Sequence, residues 1–182
     1  MKEWKKLFLL LLAIVFVCGC VTDDRVDVVE EGDVVRVDYV GKEEDGTVFD
    51  TSLKDVAIEA GIYNPRRDYQ PLAFTVGAGE MIAGFDNGVI GMVVAEQRTL
   101  TIPPEEAYGS YRDDLVQTIP REELTSAGIT PAAGAQISTI QGMVGTITTV
   151  TDTDVVIDFN HELAGKTLIF DVTLVSIDRD TT

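Results

Sequence analysis

Short runs of alternating apolar and polar residues, separated by turn signals, constrain the fold of this chain most strongly. In residues 34–40, the side chains of Val35, Val37 and Tyr39 fall on one face. This two-residue period is that of a half-buried β-strand. The Asp45-Gly46 pair that follows favours a tight hairpin turn, because glycine accepts the positive φ that such turns require. Similar runs at residues 47–49, 72–76, 98–102 and 167–177 predict the other strands of an antiparallel sheet.

A single short helix is predicted between these strands. Ile82, Phe85, Val89 and Ile90 recur at spacings of three, seven and eight residues, which places them on one helical face. Gly91 is a suitable residue to end that helix.

Two longer segments interrupt the pattern. Residues 51–70 are polar and mixed, with one helical turn predicted near residues 56–60; such a loop is either functional or a simple insertion. Residues 110–159 contain short Val, Ile and Thr runs between glycines and prolines, which predicts a small β-rich unit inserted into the first domain. Its strands are expected at residues 115–119, 135–140, 143–151 and 155–159.

The amino terminus has the pattern of an export signal. Three lysines in residues 2–6 precede an unbroken apolar run over residues 7–17, which is too short to span a bilayer as a stable helix. The ending Val17-Cys18-Gly19-Cys20 resembles the lipobox of exported lipoproteins. We therefore expect a signal peptide at 1–19, lipidation of Cys20 and a lipid-anchored tether at 20–32. The alternative is an uncleaved apolar anchor with two incidental cysteines; both place the folded part outside, at a cell membrane.

Charge and cysteine content exclude several classes of function. The chain has 14 Lys and Arg against 31 Asp and Glu, a formal net charge of -17, which argues against a nucleic-acid partner. No cysteine follows Cys20, so the folded part has neither an internal disulfide nor a thiolate metal site. We expect no metal site and no cofactor.

Four motifs follow one another in a fixed order along the chain. They are Val37–Gly41 with Asp45–Asp50, Gly79–Met92, Ile102–Gly109 and Asn160–Val172. In this order they resemble the FKBP-type peptidyl-prolyl cis/trans isomerases, and the insertion after the third motif resembles the SlyD-like branch, whose inserted flap binds unfolded chains.

The resemblance implies an α+β fold, in which a twisted antiparallel sheet wraps around a short helix and carries an inserted β-rich flap domain. The isomerase domain would comprise residues 33–109 and 160–178, and the flap residues 110–159. The expected activity is isomerisation of X–Pro bonds in unfolded or newly exported polypeptides, by a monomer.

The site follows from the same resemblance, position by position. Asp50 and Tyr108 would act in catalysis, with Phe85 as the floor of the pocket, where many relatives place Trp. A lone His is more often structural, so His161 is expected only to bind substrate. The substrate-binding set is Tyr39, Phe49, Phe74, Met81, Ile82, Phe85, His161 and Phe170.

Departures from the family pattern leave some points open. The long segment after Asp50 obscures the basic residue that often pairs with this carboxylate, so Arg66 and Arg67 are both candidates. The chain has no His- and Cys-rich tail of the kind SlyD-like members carry, so no nickel site is expected.

The rival functions are a holdase or binding module with an inactive pocket, and a purely structural surface lipoprotein.

Overall fold

The computed structural model describes residues 27–139 and 142–179, which form two antiparallel sheets and a few short helices. The predicted signal peptide, Cys20 and residues 20–26 of the predicted tether lie outside the described residues. Within the described part of the chain, no helix is both long and apolar enough to cross a bilayer.

The first sheet has five strands, with bounds close to those that alternation predicted. The strands are β1 Val34–Glu43, β2 Val48–Thr51, β3 Leu72–Thr75, β4 Gln97–Ile102 and β9 Leu168–Asp178. The central pair β1 and β9 runs antiparallel, with β4 on the far side of β9 and both β2 and β3 along the other edge of β1. Val35, Val37 and Tyr39 are buried as predicted.

Helix α2, Ala83–Gly88, packs against the concave side of this sheet. Two of its glycines bring its backbone against β4: a Cβ added at Gly84 would lie 2.4 Å from Ile102 Cγ2, and one at Gly88 would lie 2.5 Å from Leu100 Cδ1. Phe85 enters the core from the helix, and Val89, which follows its last residue, does the same. The predicted α+β class, a sheet wrapped around a short helix, is confirmed.

The segment 51–70 forms an ordered loop that returns to the edge of the sheet. Helix α1, Lys54–Glu59, begins two residues before the predicted helical turn, and Ala57 buries its side chain completely. Backbone hydrogen bonds from Gly61 to Ile58 and from Ile62 to Ala57 then reverse the chain. The loop therefore has a defined shape beside β2.

The second sheet lies within the predicted insertion. The elements of this unit are β5 Val116–Pro120, α3 Arg121–Ser126, β6 Gln136–Ser138, β7 Val144–Val150 and β8 Asp154–Asp158. The strand order is β5-β8-β7-β6. Leu124 of α3 packs against Ile147, Val155 and Ile157. Helix α3 was not predicted, because its apolar residues are too few to show a helical period.

The structure corrects the prediction that residues up to 32 are a tether. Val29 is 1% exposed, and its backbone exchanges hydrogen bonds with Met92 and Gly91. Arg179 holds the same segment through both carboxylate oxygens of Asp33, at 2.8 and 2.9 Å, and through Asp27. Charged residues surround Val29 in the sequence, so no apolar pattern indicates that it is buried.

Candidate active site

A cavity of about 560 Å³ opens between the concave face of the first sheet and helix α2. Strands β1, β2 and β9 supply one wall, and the segment leading into α2 supplies the other. Eight of the ten predicted catalytic and substrate-binding residues line it: Tyr39, Phe49, Asp50, Met81, Ile82, Phe85, Tyr108 and Phe170.

Aromatic rings packed edge to face form the base of this cavity. The Phe85 ring lies 5.1 Å from that of Phe170 and 6.0 Å from that of Tyr39, with interplanar angles of 76° and 81°. Phe49 meets Phe170 at 5.6 Å and 87°. Aromatic pairs in this geometry stabilise the packing by more than the burial of the two rings alone contributes. The base is therefore a rigid apolar surface.

Asp50 belongs to a hydrogen-bonded chain along the cavity wall. Its Oδ2 accepts from the Tyr39 hydroxyl at 2.6 Å, and its Oδ1 accepts from the Thr51 amide and from Nη1 of Arg67. Nη2 of Arg67 also donates to the Tyr39 hydroxyl at 2.9 Å. Arg67 is thus the basic partner that the sequence left open, because the loop 51–70 folds back onto β2.

The two tyrosines of the site are held in their protonated forms. Burial, with a further contribution from the hydrogen bond to Asp50, raises the pKa of Tyr39 to about 12. Burial, followed by the negative charges of Asp50 and Glu162, also raises the pKa of Tyr108 above its usual value. Both phenols therefore remain hydrogen-bond donors at neutral pH.

Tyr108 and His161 form a stacked pair at the mouth of the cavity. Their ring centroids lie 3.9 Å apart and the rings are 4° from parallel. Nδ1 of His161 accepts a hydrogen bond from the Leu163 amide at 3.1 Å, which fixes the imidazole ring. His161 does not line the cavity, so it restrains the Tyr108 ring from the side.

Ile82 presents a backbone donor to the cavity. Its carbonyl accepts hydrogen bonds from the Phe85 and Asp86 amides at the start of α2. Within residues 27–139 and 142–179, no acceptor is paired with its own N–H group. That group is available to a bound peptide.

Phe74 does not occupy its predicted place. It is 3% exposed and packs behind the base, 5.8 Å from the Phe85 ring, so it supports the cavity without lining it.

Four residues that line the cavity were missing from the predicted set. Strand alternation could have indicated Leu72, and the third sequence motif could have indicated Ala107. The four are Leu72, Glu80, Ala83 and Ala107.

Comparison with known proteins decides the family. The model of the family described as FKBP-type peptidyl-prolyl cis-trans isomerase matches residues 26–175. This chain belongs to that family. As an FKBP-type isomerase, it is similar to the short-type peptidyl-prolyl cis-trans isomerase of Methanocaldococcus jannaschii, with 48% identity over 81% of this chain and 92% of the relative.

Other FKBP-type relatives share less of their length or sequence. The SlyD isomerase of Pasteurella multocida is 31% identical over 79% of this chain and 66% of the relative. FK506-binding protein 2 of Yarrowia lipolytica is 49% identical, but over 43% of this chain and 46% of the relative. The enzyme class, peptidyl-prolyl cis-trans isomerase, therefore rests on the family match and on relatives that cover most of the chain.

Proposed function

We propose that this FKBP-type enzyme isomerises X–Pro bonds of unfolded and newly exported polypeptides by stripping water from the amide and favouring its twisted form. The observation that carries the proposal is the aromatic cavity, whose base of Phe85, Phe170 and Phe49 offers no hydrogen bond to a carbonyl. Uncatalysed isomerisation takes tens to hundreds of seconds and limits folding, so such an enzyme serves newly exported chains.

The apolar base acts on the resonance of the peptide bond. Partial double-bond character of the C–N bond gives a rotation barrier of about 18–20 kcal/mol. The planar amide is the more polar form, so transfer into an apolar site costs it more than it costs the twisted amide. Lowering the barrier by about 4 kcal/mol gives about a thousandfold acceleration.

Polar groups at the rim hold the substrate in place. The Tyr108 hydroxyl donates to a substrate carbonyl, and the free N–H of Ile82 donates to a second one. Asp50, with Tyr39 and Arg67 bonded to both of its oxygens, forms a fixed negative wall that orients the twisting bond. None of these steps requires a covalent intermediate.

The test is the refolding of a proline-limited protein in the presence of parent and variant enzymes. A Tyr108→Phe, Asp50→Ala double variant should lose about tenfold or more of the acceleration, because each change removes a group that fixes the substrate. Tyr111→Phe is the matched control, since its hydroxyl bonds Asp158 outside the cavity. A double variant as fast as the parent would refute the cavity as the site.

A second function, holding unfolded chains, is favoured by the surface of the inserted unit. Ile129, Met143 and Val144 expose 40%, 45% and 53% of their surface there. We propose that this unit binds unfolded polypeptide and so raises its concentration near the cavity. An inactive holdase would suppress aggregation equally well in the parent and in the double variant, but would accelerate refolding in neither.

We further propose that the enzyme acts outside the cell, held at the membrane through Cys20. The supporting observation is the sequence order of lysines, short apolar run and Gly19-Cys20. Mass measurement of the first residue in the membrane fraction tests this. A lipidated Cys20 at the amino terminus is expected, and an intact Met1 would favour the uncleaved anchor.

A further inference from the structure

A second, smaller cavity adjoins the main one. This side cavity, of about 170 Å³, lies between the end of β2 and the loop 51–70. Phe49 and Asp50 line both cavities, so a polypeptide with its proline in the main cavity passes the side cavity within a few residues.

The loop that forms the side cavity is built to keep its shape. The completely buried Ala57 anchors it from below. The Tyr69 hydroxyl accepts a hydrogen bond from the Asn64 amide at 2.9 Å, which closes the loop. The Tyr63 and Tyr69 rings stack at 5.6 Å and 19°. The side cavity is therefore formed before any ligand arrives.

Apolar and polar side chains share its lining. Phe49, Ile62 and Tyr69 supply apolar and aromatic walls, and Ile62 is still 37% exposed. Thr51 and Asn64 also line it, but the Thr51 hydroxyl donates to the Tyr39 carbonyl and Asn64 Oδ1 accepts from the Arg66 amide, so both side chains are already paired. The one cation in the lining, Arg67, is already paired with Asp50 and Tyr39. An incoming carboxylate would meet Asp50 and a chain of net charge -17. The walls therefore disfavour an acidic residue.

We propose that the side cavity is a specificity subsite, which binds one large apolar side chain of the substrate a few residues from the proline. This rests on the proposed isomerase function of the main cavity. The volume is below the range of about 300–1,000 Å³ for pockets that enclose a drug-sized ligand, but it suits one side chain. A bound apolar side chain would cover Ile62 and Phe49 and release water from their apolar surface, which favours its binding.

The experiment compares peptides that carry Phe or Gly at successive positions on each side of one X–Pro bond. For the parent, one position should favour Phe by about fivefold in kcat/KM, the value expected from burying part of an aromatic ring. Ile62→Ser should abolish most of that preference. The matched control is Ile58→Ser, because Ile58 is 53% exposed and lines neither cavity. Melting temperatures establish that both variants are folded.

Three results would refute the proposed subsite. They are a parent enzyme with no preference at any position, a preference for Asp over Phe, and an equal loss of the Phe preference in Ile62→Ser and Ile58→Ser. The same peptides are also titrated for binding. If no peptide is isomerised but the Phe preference in Kd depends on Ile62, the isomerase proposal fails and the subsite stands.

Discussion

The two sheets differ in how much core they enclose. Around the first sheet and α2, sixteen buried side chains form one cluster, and none of them comes from residues 110–159. The second sheet buries a cluster of four, Leu124, Ile147, Val155 and Ile157. A large core can hold aromatic rings rigid and dry, whereas a thin one leaves apolar side chains at the surface. The proposed desolvation of an amide therefore belongs to the first sheet, and the proposed contact with unfolded chains belongs to the second.

The two regions meet over a short connection. Arg112 and Asn160 exchange two hydrogen bonds, both of 2.9 Å, where the chain enters and leaves the second sheet. The Gly165 amide donates to the Gly109 carbonyl close by. Because none of these contacts uses a side chain of either core, substitutions in one core should leave the other core intact.

The largest expected effect comes from removing the base of the main cavity. Phe85→Ala should lower the free energy of unfolding by about 3–5 kcal/mol, as for other buried aromatic rings, and should abolish isomerase activity. Ile157→Ala in the second core should cost about 2 kcal/mol, since a thin layer collapses more easily around the lost atoms. Urea unfolding measures both, and Ile157→Ala should retain activity on a short peptide. Equal losses of unfolding free energy in the two variants would contradict the difference between the two cores.

The next effect concerns the wall of the cavity. Arg67→Met should lower kcat/KM by about fivefold, because Asp50 and Tyr39 lose a common donor. Its stability should change by less than about 1 kcal/mol, since both partners of the ion pair are over a third exposed. Arg66→Met is the control, with the same change one residue away. Peptide assays in which both variants behave alike would remove Arg67 from the site.

A smaller effect is expected at the mouth of the cavity. His161→Ala should lower kcat/KM about threefold, because the Tyr108 ring loses its stacked partner. His161→Phe should recover most of the lost activity, because Phe supplies a planar ring that can stack on Tyr108 but has no ring nitrogens. A Phe variant as impaired as the Ala variant would show that His161 acts through its nitrogens instead.

The smallest effect is an expected absence of pH dependence. The pKa of Tyr108 is raised, so its phenol remains protonated to higher pH than that of a free tyrosine. The ratio of kcat/KM between the parent and Tyr108→Phe should therefore stay constant from about pH 6 to pH 9. A ratio that falls as pH rises within this range would mean that the Tyr108 hydroxyl ionises early.

Most of the first sheet was predictable because each strand has one buried and one exposed face. Val35, Val37 and Tyr39 show this period without any knowledge of their partners. Burial of Val29 and the pairing of Arg67 with Asp50 were not predictable, because both depend on segments distant in sequence. Phe74 alternates correctly, yet only the position of Phe85 decides that it lies behind the cavity. Local patterns predict strands, and tertiary contacts determine which side chains meet.

The most direct test of the division between the sheets is to remove the second one. Residues 113–159 are replaced by two glycines, which suffice because Arg112 and Asn160 are hydrogen-bonded to each other. The shortened enzyme should keep the parent's kcat/KM on a tetrapeptide but accelerate the refolding of a proline-limited protein much less. Equal losses on the two substrates, in a variant that is still folded, would contradict the assignment of chemistry to the first sheet and binding to the second.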